Sequence, residues 1–215
     1  MSQFGIEVVD ALLPRFNIAP TQDVAVVRLD EPSRRRELAE LRWGLIPSWA
    51  KNPAIGSRMI NARGETVAEK PSFRVAFRHR RCLVLADGYY EWKKAGAKKQ
   101  PYYIRLADDG PFGMAGLWES WRASEEDGAT KIQSCTVITT EANSLTRTVH
   151  DRMPVIVEPA DWATWLDVSI QDREVLEPML KSYPAESMKF DAVSTVVNNP
   201  RNETSECVEV QRELF

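Results

Sequence analysis

The stretch that most limits how this chain can fold is CLVLADGYYEWKKAGAKKQPYYIRLADDG, residues 82–110. Two runs rich in apolar, β-branched and aromatic residues flank KAGAKK, with Gly96 inside the intervening segment. Glycine reaches the left-handed backbone that a tight turn needs, so the pattern predicts an antiparallel hairpin. Further strand-like runs are VAVVRLD (24–30), the start of LAELRWGLIPSWAKNP (38–53), PFGMAGLWESW (111–121), KIQSCTVITTEAN (131–143), PVIV (154–157) and KFDAVSTVVNN (189–199). Helical signals are fewer. Residues 64–81 place Val67, Phe73, Val75 and Phe77 at roughly helical spacing, with Pro71 as a break or a start. Pro159 and Asp161 precede WATWL, and DREVLEPML (172–180) reads as another short helix. Strands do not alternate regularly with helices, so the expected class is α+β. We expect one domain over 1–215, with a mixed, largely antiparallel, barrel-like sheet core and a few peripheral helices.

Composition narrows the function. A formal net charge of −3 gives no global cationic field, so any nucleic-acid contact needs a local basic patch. No apolar stretch approaches membrane-spanning length, and MSQFGIEVVD lacks the basic start and apolar middle of a signal peptide. Cys82, Cys135 and Cys207 lie far apart, without metal-ligand spacing. The expectation is a cytoplasmic protein with reduced thiols, no structural metal and no cofactor.

Four stretches combine ionisable or amide groups with aromatics or sharp turns: RFNIAPTQ (15–22), RWGLIPSWA (42–50), INARGET (60–66), and DGYYEW (87–92) with VHDRMP (149–154). Asn61 either bonds its own backbone in a turn or orients a reactant, and Arg63 is either solvated or a planar fork for phosphate. Glu91 lies between Tyr90 and Trp92 in a strand, so alternation puts it on the face opposite both. It is either exposed there or turned into a cleft, where desolvation would favour the neutral acid and suit it to proton donation. The chain has two histidines, His79 and His150. His150 opens an apolar run, either as a packed histidine at a strand entrance or as a proton carrier, and Asp151 could orient it. Trp43 and Trp49 bracket Gly44 and Pro47, and aromatics on a loop make a stacking platform for unpaired bases. The RHRR run at 78–81 and the lysines of KKAGAKK could supply a cationic track, whereas RRR at 34–36 reads as a surface charge run.

Taken together and in this order, from RFNIAPTQ through WGLIPSWA, INARGET, ADGYYEW, KKQPYYI and HDRMPVIV to VSTVVNNP, these stretches resemble the SOS response-associated peptidase (SRAP) family. The resemblance covers essentially the whole chain. It implies recognition of abasic sites in single-stranded DNA and a covalent DNA–protein crosslink that shields the lesion. In the family, the cysteine exposed by removal of the initiator methionine attacks the open-chain aldehyde. Its amine forms an imine and its thiol closes a thiazolidine. An α-amine, with a pKa of about 7.7–8.0 against about 10.4 for lysine, leaves far more neutral nucleophile at neutral pH. Self-processing that frees this cysteine gives the family its peptidase (hydrolase) name, and lyase-like activity accompanies it.

The resemblance assigns catalytic roles to Asn61, Glu91 and His150: positioning the nucleophile and sugar, protonating the sugar oxygen, and assisting proton transfer. It assigns Arg63 to the phosphate beside the lesion, and Trp43 with the PSW turn, including Trp49, to base stacking. Asn17 and Pro20 would line the site, and Arg152 completes the expected DNA contacts. The implied partner is single-stranded DNA carrying abasic sites, bound by a protein that is monomeric when full length, with no membrane and no metal. The family begins Met-Cys-Gly-Arg, whereas this chain begins MSQFGIEVVD. The resemblance therefore makes Met1 an internal methionine, with the N-terminal strand and part of the first helix upstream of it. As written, the chain is expected to bind DNA without forming a thiazolidine. The alternative functions are a passive single-strand-binding module and a peptidase acting on other proteins.

Overall fold

A computed structural model describes residues 2–6, 13–30, 33–96, 98–124 and 128–211. Its strands are β1 (Asp23–Leu29), β2 (Arg36–Trp43), β3 (Asn61–Arg63), β4 (Arg81–Ala86), β5 (Tyr89–Ala95), β6 (Lys98–Leu106), β7 (Phe112–Arg122), β8 (Lys131–Glu141), β9 (Arg152–Pro154), β10 (Ile156–Val157) and β11 (Met188–Ala192). Short helices are α1 (Arg74–His79), α2 (Trp162–Leu166) and α3 (Arg173–Leu176).

β1 pairs antiparallel with β2 and β4, β4 with β7, and β7 with β8. β2 then meets β8 in parallel, at Arg42 with Ser134 and Trp43 with Cys135. That last pairing closes a five-strand ring, β1–β2–β8–β7–β4. β3 and β9 continue on β8 beyond the ring, and β10 continues on β7. A second sheet, β11–β6–β5, holds the expected hairpin, and Gly96 has φ +60° at its turn. The fold is α+β with a mixed, largely antiparallel barrel, as expected.

Alternation along the strands builds two cores. Leu83, Ala115 and Leu117 face a cluster containing Phe77 of α1 and Trp162 and Trp165 of α2. Their neighbours Cys82, Val84 and Met114 face the other way, toward Ile104 and Met188 of the second sheet. Phe4 stacks on Trp162 at 4.5 Å between ring centroids. All three cysteines are free and buried. Between α1 and α2 sits Arg81, only 1% exposed. Its guanidinium donates to the carbonyls of Trp165, Phe77, Arg78, Asp167 and Ile170 at 2.6–2.9 Å. Arg80 pairs with the buried Glu119 at 2.8 Å. The RHRR run is thus largely consumed by structure, because two of its arginines reach inward rather than toward a ligand.

Three local expectations change. The run PVIV is not one strand: β9 pairs with β8 and β10 with β7, and Val155 between them bonds to both Ile138 and Ala115. The last strand stops at Ala192, and Thr195–Asn198 forms a 3-10 turn capped by the Ser194 side chain. Of residues 64–81, α1 takes only Arg74–His79. The reading of SQFGIEVVD as a helix end falls partly outside the described residues, and Ser2–Phe4 forms a 3-10 turn. Among the described residues no helix is long and apolar enough to cross a membrane.

Candidate functional site

β5 carries out the separation that alternation predicts. Tyr90 and Trp92 join a cluster with Phe16, Tyr103 and Val196, while Glu91 turns to the other face. There its Oε1 lies 3.9 Å from His150 Nδ1, with 26% of the Glu91 side chain and 44% of the His150 side chain exposed. The separation is too long for a hydrogen bond but close enough for strong electrostatic coupling. Burial raises the Glu91 pKa, the charge of His150 and a Trp92 backbone N–H pull it down, and Asp151 pushes it up again. The carboxyl is therefore poised to hold a proton at higher pH than a surface glutamate.

His150 is fixed by the backbone that follows it. The Arg152 N–H lies 3.1 Å from Nδ1 and the Arg152 carbonyl 3.3 Å from it, so either neutral tautomer has a backbone partner there. Asp151 Oδ1 also lies 3.3 Å from Nδ1. Nδ1 thus faces the Arg152 backbone and two carboxylates, Glu91 and Asp151, partners between which an imidazole can pass a proton. Among the described residues, no cluster of three or more His, Cys, Asp or Glu side chains could hold a metal ion.

β3 delivers Asn61 and Arg63. It lies parallel to β8, with Asn61 beside Val137 and Arg63 beside Thr139, and both side chains are exposed. β9 pairs with Thr139–Glu141, so Arg152 approaches the same end of β8. Arg152 donates to the Thr139 carbonyl at 2.6 Å and grips Glu65 with both terminal nitrogens, at 2.6 and 2.9 Å. This bridge ties the Asn61–Arg63 segment to the His150 segment. Arg152, expected to touch DNA, thus has its charge already balanced by Glu65. The Glu65 pKa is lowered, first by the Arg152 hydrogen bond.

The two tryptophans part company. Trp43 ends β2, half-buried, with its indole N–H on the Ile60 carbonyl at 2.8 Å. It braces the entry to β3 and does not project from a loop. Trp49 is 59% exposed and borders a surface depression with Lys51, Ile55 and Arg58. Its loop is held firmly, since Ala50 accepts from Trp121 Nε1 at 2.6 Å and the Ile46 N–H meets Ser134 Oγ at 2.8 Å. Gly44, at φ +128°, and Gly56 approach so closely that a Cβ on Gly44 would lie 2.6 Å from the Gly56 carbonyl oxygen. Of the two, Trp49 is the one that presents an exposed aromatic face.

Asn17 is buried, 5% exposed, and its amide donates to the carbonyls of Val197, Asn199 and Asn202, each at 3.1 Å. The amide nitrogen is fully occupied by these carbonyls, and Asn17 thereby holds the loop on which exposed Pro20 sits. Tyr90 Oη joins this loop to β5 by donating to the Phe16 carbonyl at 2.6 Å. Two groups near the site escaped the sequence reading. Glu65 looks like any turn glutamate until the fold brings Arg152 to it. Tyr89, two residues from Glu91 and on the same face, buries a hydroxyl without a partner among the described residues. Its pKa is raised by burial and then by the Glu91 charge.

Known proteins are similar to this chain along most of its length. Residues 2–200 match the family model described as SOS response associated peptidase (SRAP). The chain is 42% identical to the abasic site processing protein YoqW of Bacillus subtilis (strain 168), covering 91% of this chain and 86% of that protein. It is 34% identical to the abasic site processing protein HMCES of Xenopus tropicalis, over 93% of this chain and 67% of the relative. A crystal structure of a Bacteroides thetaiotaomicron protein superposes with a TM-score of 0.78 at 30% identity, covering 89% of this chain and 82% of the other. One continuous match from the first strand of the ring past β11, supported in sequence and in fold, places this chain in the SOS response-associated peptidase family.

Proposed function

We propose that this protein recognises abasic sites in single-stranded DNA, and that the face carrying Glu91 and His150 is where the family's crosslinking chemistry takes place. Family membership and relatives named for abasic site processing support the reading. The observation that carries it is Glu91, turned away from its aromatic neighbours into a half-buried position beside His150. The neutral carboxyl donates a proton to the ring oxygen of the closed deoxyribose, opening it to the aldehyde. Asn61 orients the sugar and the attacking amine, and Arg63 binds the adjoining phosphate. A terminal cysteine amine adds to the aldehyde carbon and water leaves, giving an imine; the thiol then adds across the C=N bond to close the thiazolidine. His150 moves protons during addition and water loss. Self-processing that exposes the cysteine is part of the same reading, as is inactivity in crosslinking for a chain that offers Ser2 in its place.

The test is a denaturing gel after incubation with abasic single-stranded DNA, comparing this chain with a version extended to a Met-Cys-Gly-Arg start. A crosslink from the extended form alone is expected, and Glu91→Gln in that form should slow it. Equal binding of intact and abasic strands with no crosslink from either form would favour the passive binding module. An unchanged rate in Glu91→Gln would remove Glu91 from the mechanism.

A further inference from the structure

We propose that the tip of the β5–β6 hairpin is a cationic arm that binds the phosphates of the DNA strand flanking the lesion. The inference rests on the proposed function and adds a second contact region to it. The tip presents Lys93, Lys94, Lys98 and Lys99, all exposed. Lys94 stands directly opposite Lys99 in the ladder, an arrangement that is destabilising by itself. None of the four has a carboxylate partner among the described residues. Several other cations are matched: Arg28 with Glu37, Arg34 with Asp167, Arg105 with Asp109 and Asp191, and Arg173 with Glu69 and Glu177. In a protein of net charge −3, four unmatched lysines on one projection are a local field that suits a polyanion.

The register gives the arm a direction. Its base is clamped, with Trp92 Nε1 on Asn198 at 2.7 Å and Gln100 Nε2 on the Val193 carbonyl at 2.9 Å. Beyond that clamp the ribbon has two strands only, because β11 reaches no further along β6 than Tyr102. Paired residues share a face, so Lys93 and Lys98 lie on the Glu91 face, while Lys94 and Lys99 lie on the back. Lys93 follows Glu91 by two residues, about 7 Å, and Lys98, opposite Ala95, follows by about as much again. A strand whose abasic sugar sits at Glu91 can therefore leave the site along Lys93 and Lys98.

The test uses the full chain and labelled single strands that carry a tetrahydrofuran abasic analogue, followed by fluorescence polarisation between 50 and 200 mM salt. Two lost phosphate contacts should flatten the slope of log affinity against log salt by about 1.4 in Lys93→Ser/Lys98→Ser, so that affinity falls about sevenfold less than in the unmodified chain over this fourfold rise in salt. The back pair, Lys94→Ser/Lys99→Ser, should change the slope less. Trimming the oligonucleotide on the arm side should abolish the difference between the front-pair variant and the unmodified chain. Matching slopes for those two proteins on long strands would overturn the arm, and so would a difference that survives trimming from either end. Matching slopes accompanied by self-association of the variants would overturn it in favour of lysines that only guard the ribbon edges. A flattened slope with no preference for the abasic strand would uphold the arm while counting against the lesion reading.

Discussion

Arg81 and Arg152 are both guanidinium groups bonded to backbone carbonyls, in regions that treat polar groups in opposite ways. On the helix side, Arg81 spends its donors on five carbonyls and joins α1, β4 and the segment after α2. Burial lowers its pKa to about 10, yet it stays charged at neutral pH. On the site side, Glu91 and His150 stand beyond hydrogen-bond distance, and among the described residues the buried Arg152 Nε and Tyr89 hydroxyl have no partner. The fully engaged Arg81 guanidinium ties the first region together. Incomplete satisfaction leaves the second with unmet polar groups beside the proposed site.

The comparison can be broken at either end. Arg81→Met should cost the most, about 3–5 kcal/mol in chemical denaturation, because the buried carbonyls lose a charged donor. A loss below about 1 kcal/mol would show that the helix side is not held by this hub. Glu91→Gln in the extended form should slow crosslinking about 100-fold or more, with no loss of stability, since burial penalises the charged carboxylate it removes. The sign of the pH dependence follows. A raised Glu91 pKa means that the folded state holds a proton the unfolded state releases, so stability falls as pH rises between the two values. Proton donation falls as pH rises through the folded value. His150→Ala removes the main influence that lowers this pKa, so the falling limb of single-turnover rate should move to higher pH.

Asn17→Ala tests whether the site loop borrows rigidity from buried hydrogen bonds. Losing the amide N–H groups shared among three carbonyls should cost about 1–3 kcal/mol, read as a fall in melting temperature. Glu65→Gln should have the smallest effect, under about 1 kcal/mol, because Glu65 is 48% exposed and the pair is screened. Arg152 lowers the Glu65 pKa, so the pair's contribution is present above the unfolded glutamate value and is lost as pH falls through the lower folded value. Urea denaturation at pH 7 and pH 3 should show less acid sensitivity in the variant. The same substitution frees the Arg152 charge and should tighten binding to intact strands.

Local chemistry made much of this legible. The hairpin, its Gly96 turn and the face taken by Glu91 follow from alternation and backbone preference, and the order of short motifs pointed to the family. Features that depend on distant partners were not legible. Nothing near Trp43 announces a parallel pairing with Cys135, and nothing in RFNIAPTQ announces that the Asn17 amide belongs to residues 197–202. Arg81 misled for a related reason. A basic run looks like surface until a groove of carbonyls takes one of its members inside.

β8 touches β2, β3, β7 and β9, which gives the molecule a schedule as well as a shape. While the chain is still emerging from the ribosome, Asn61 and Arg63 have no ladder to lie on until Val137 to Thr139 arrive. The histidine follows later still. A half-made protein thus carries the proposed site residues without the geometry that brings them together, and the site is complete only once β9 has joined the closed ring.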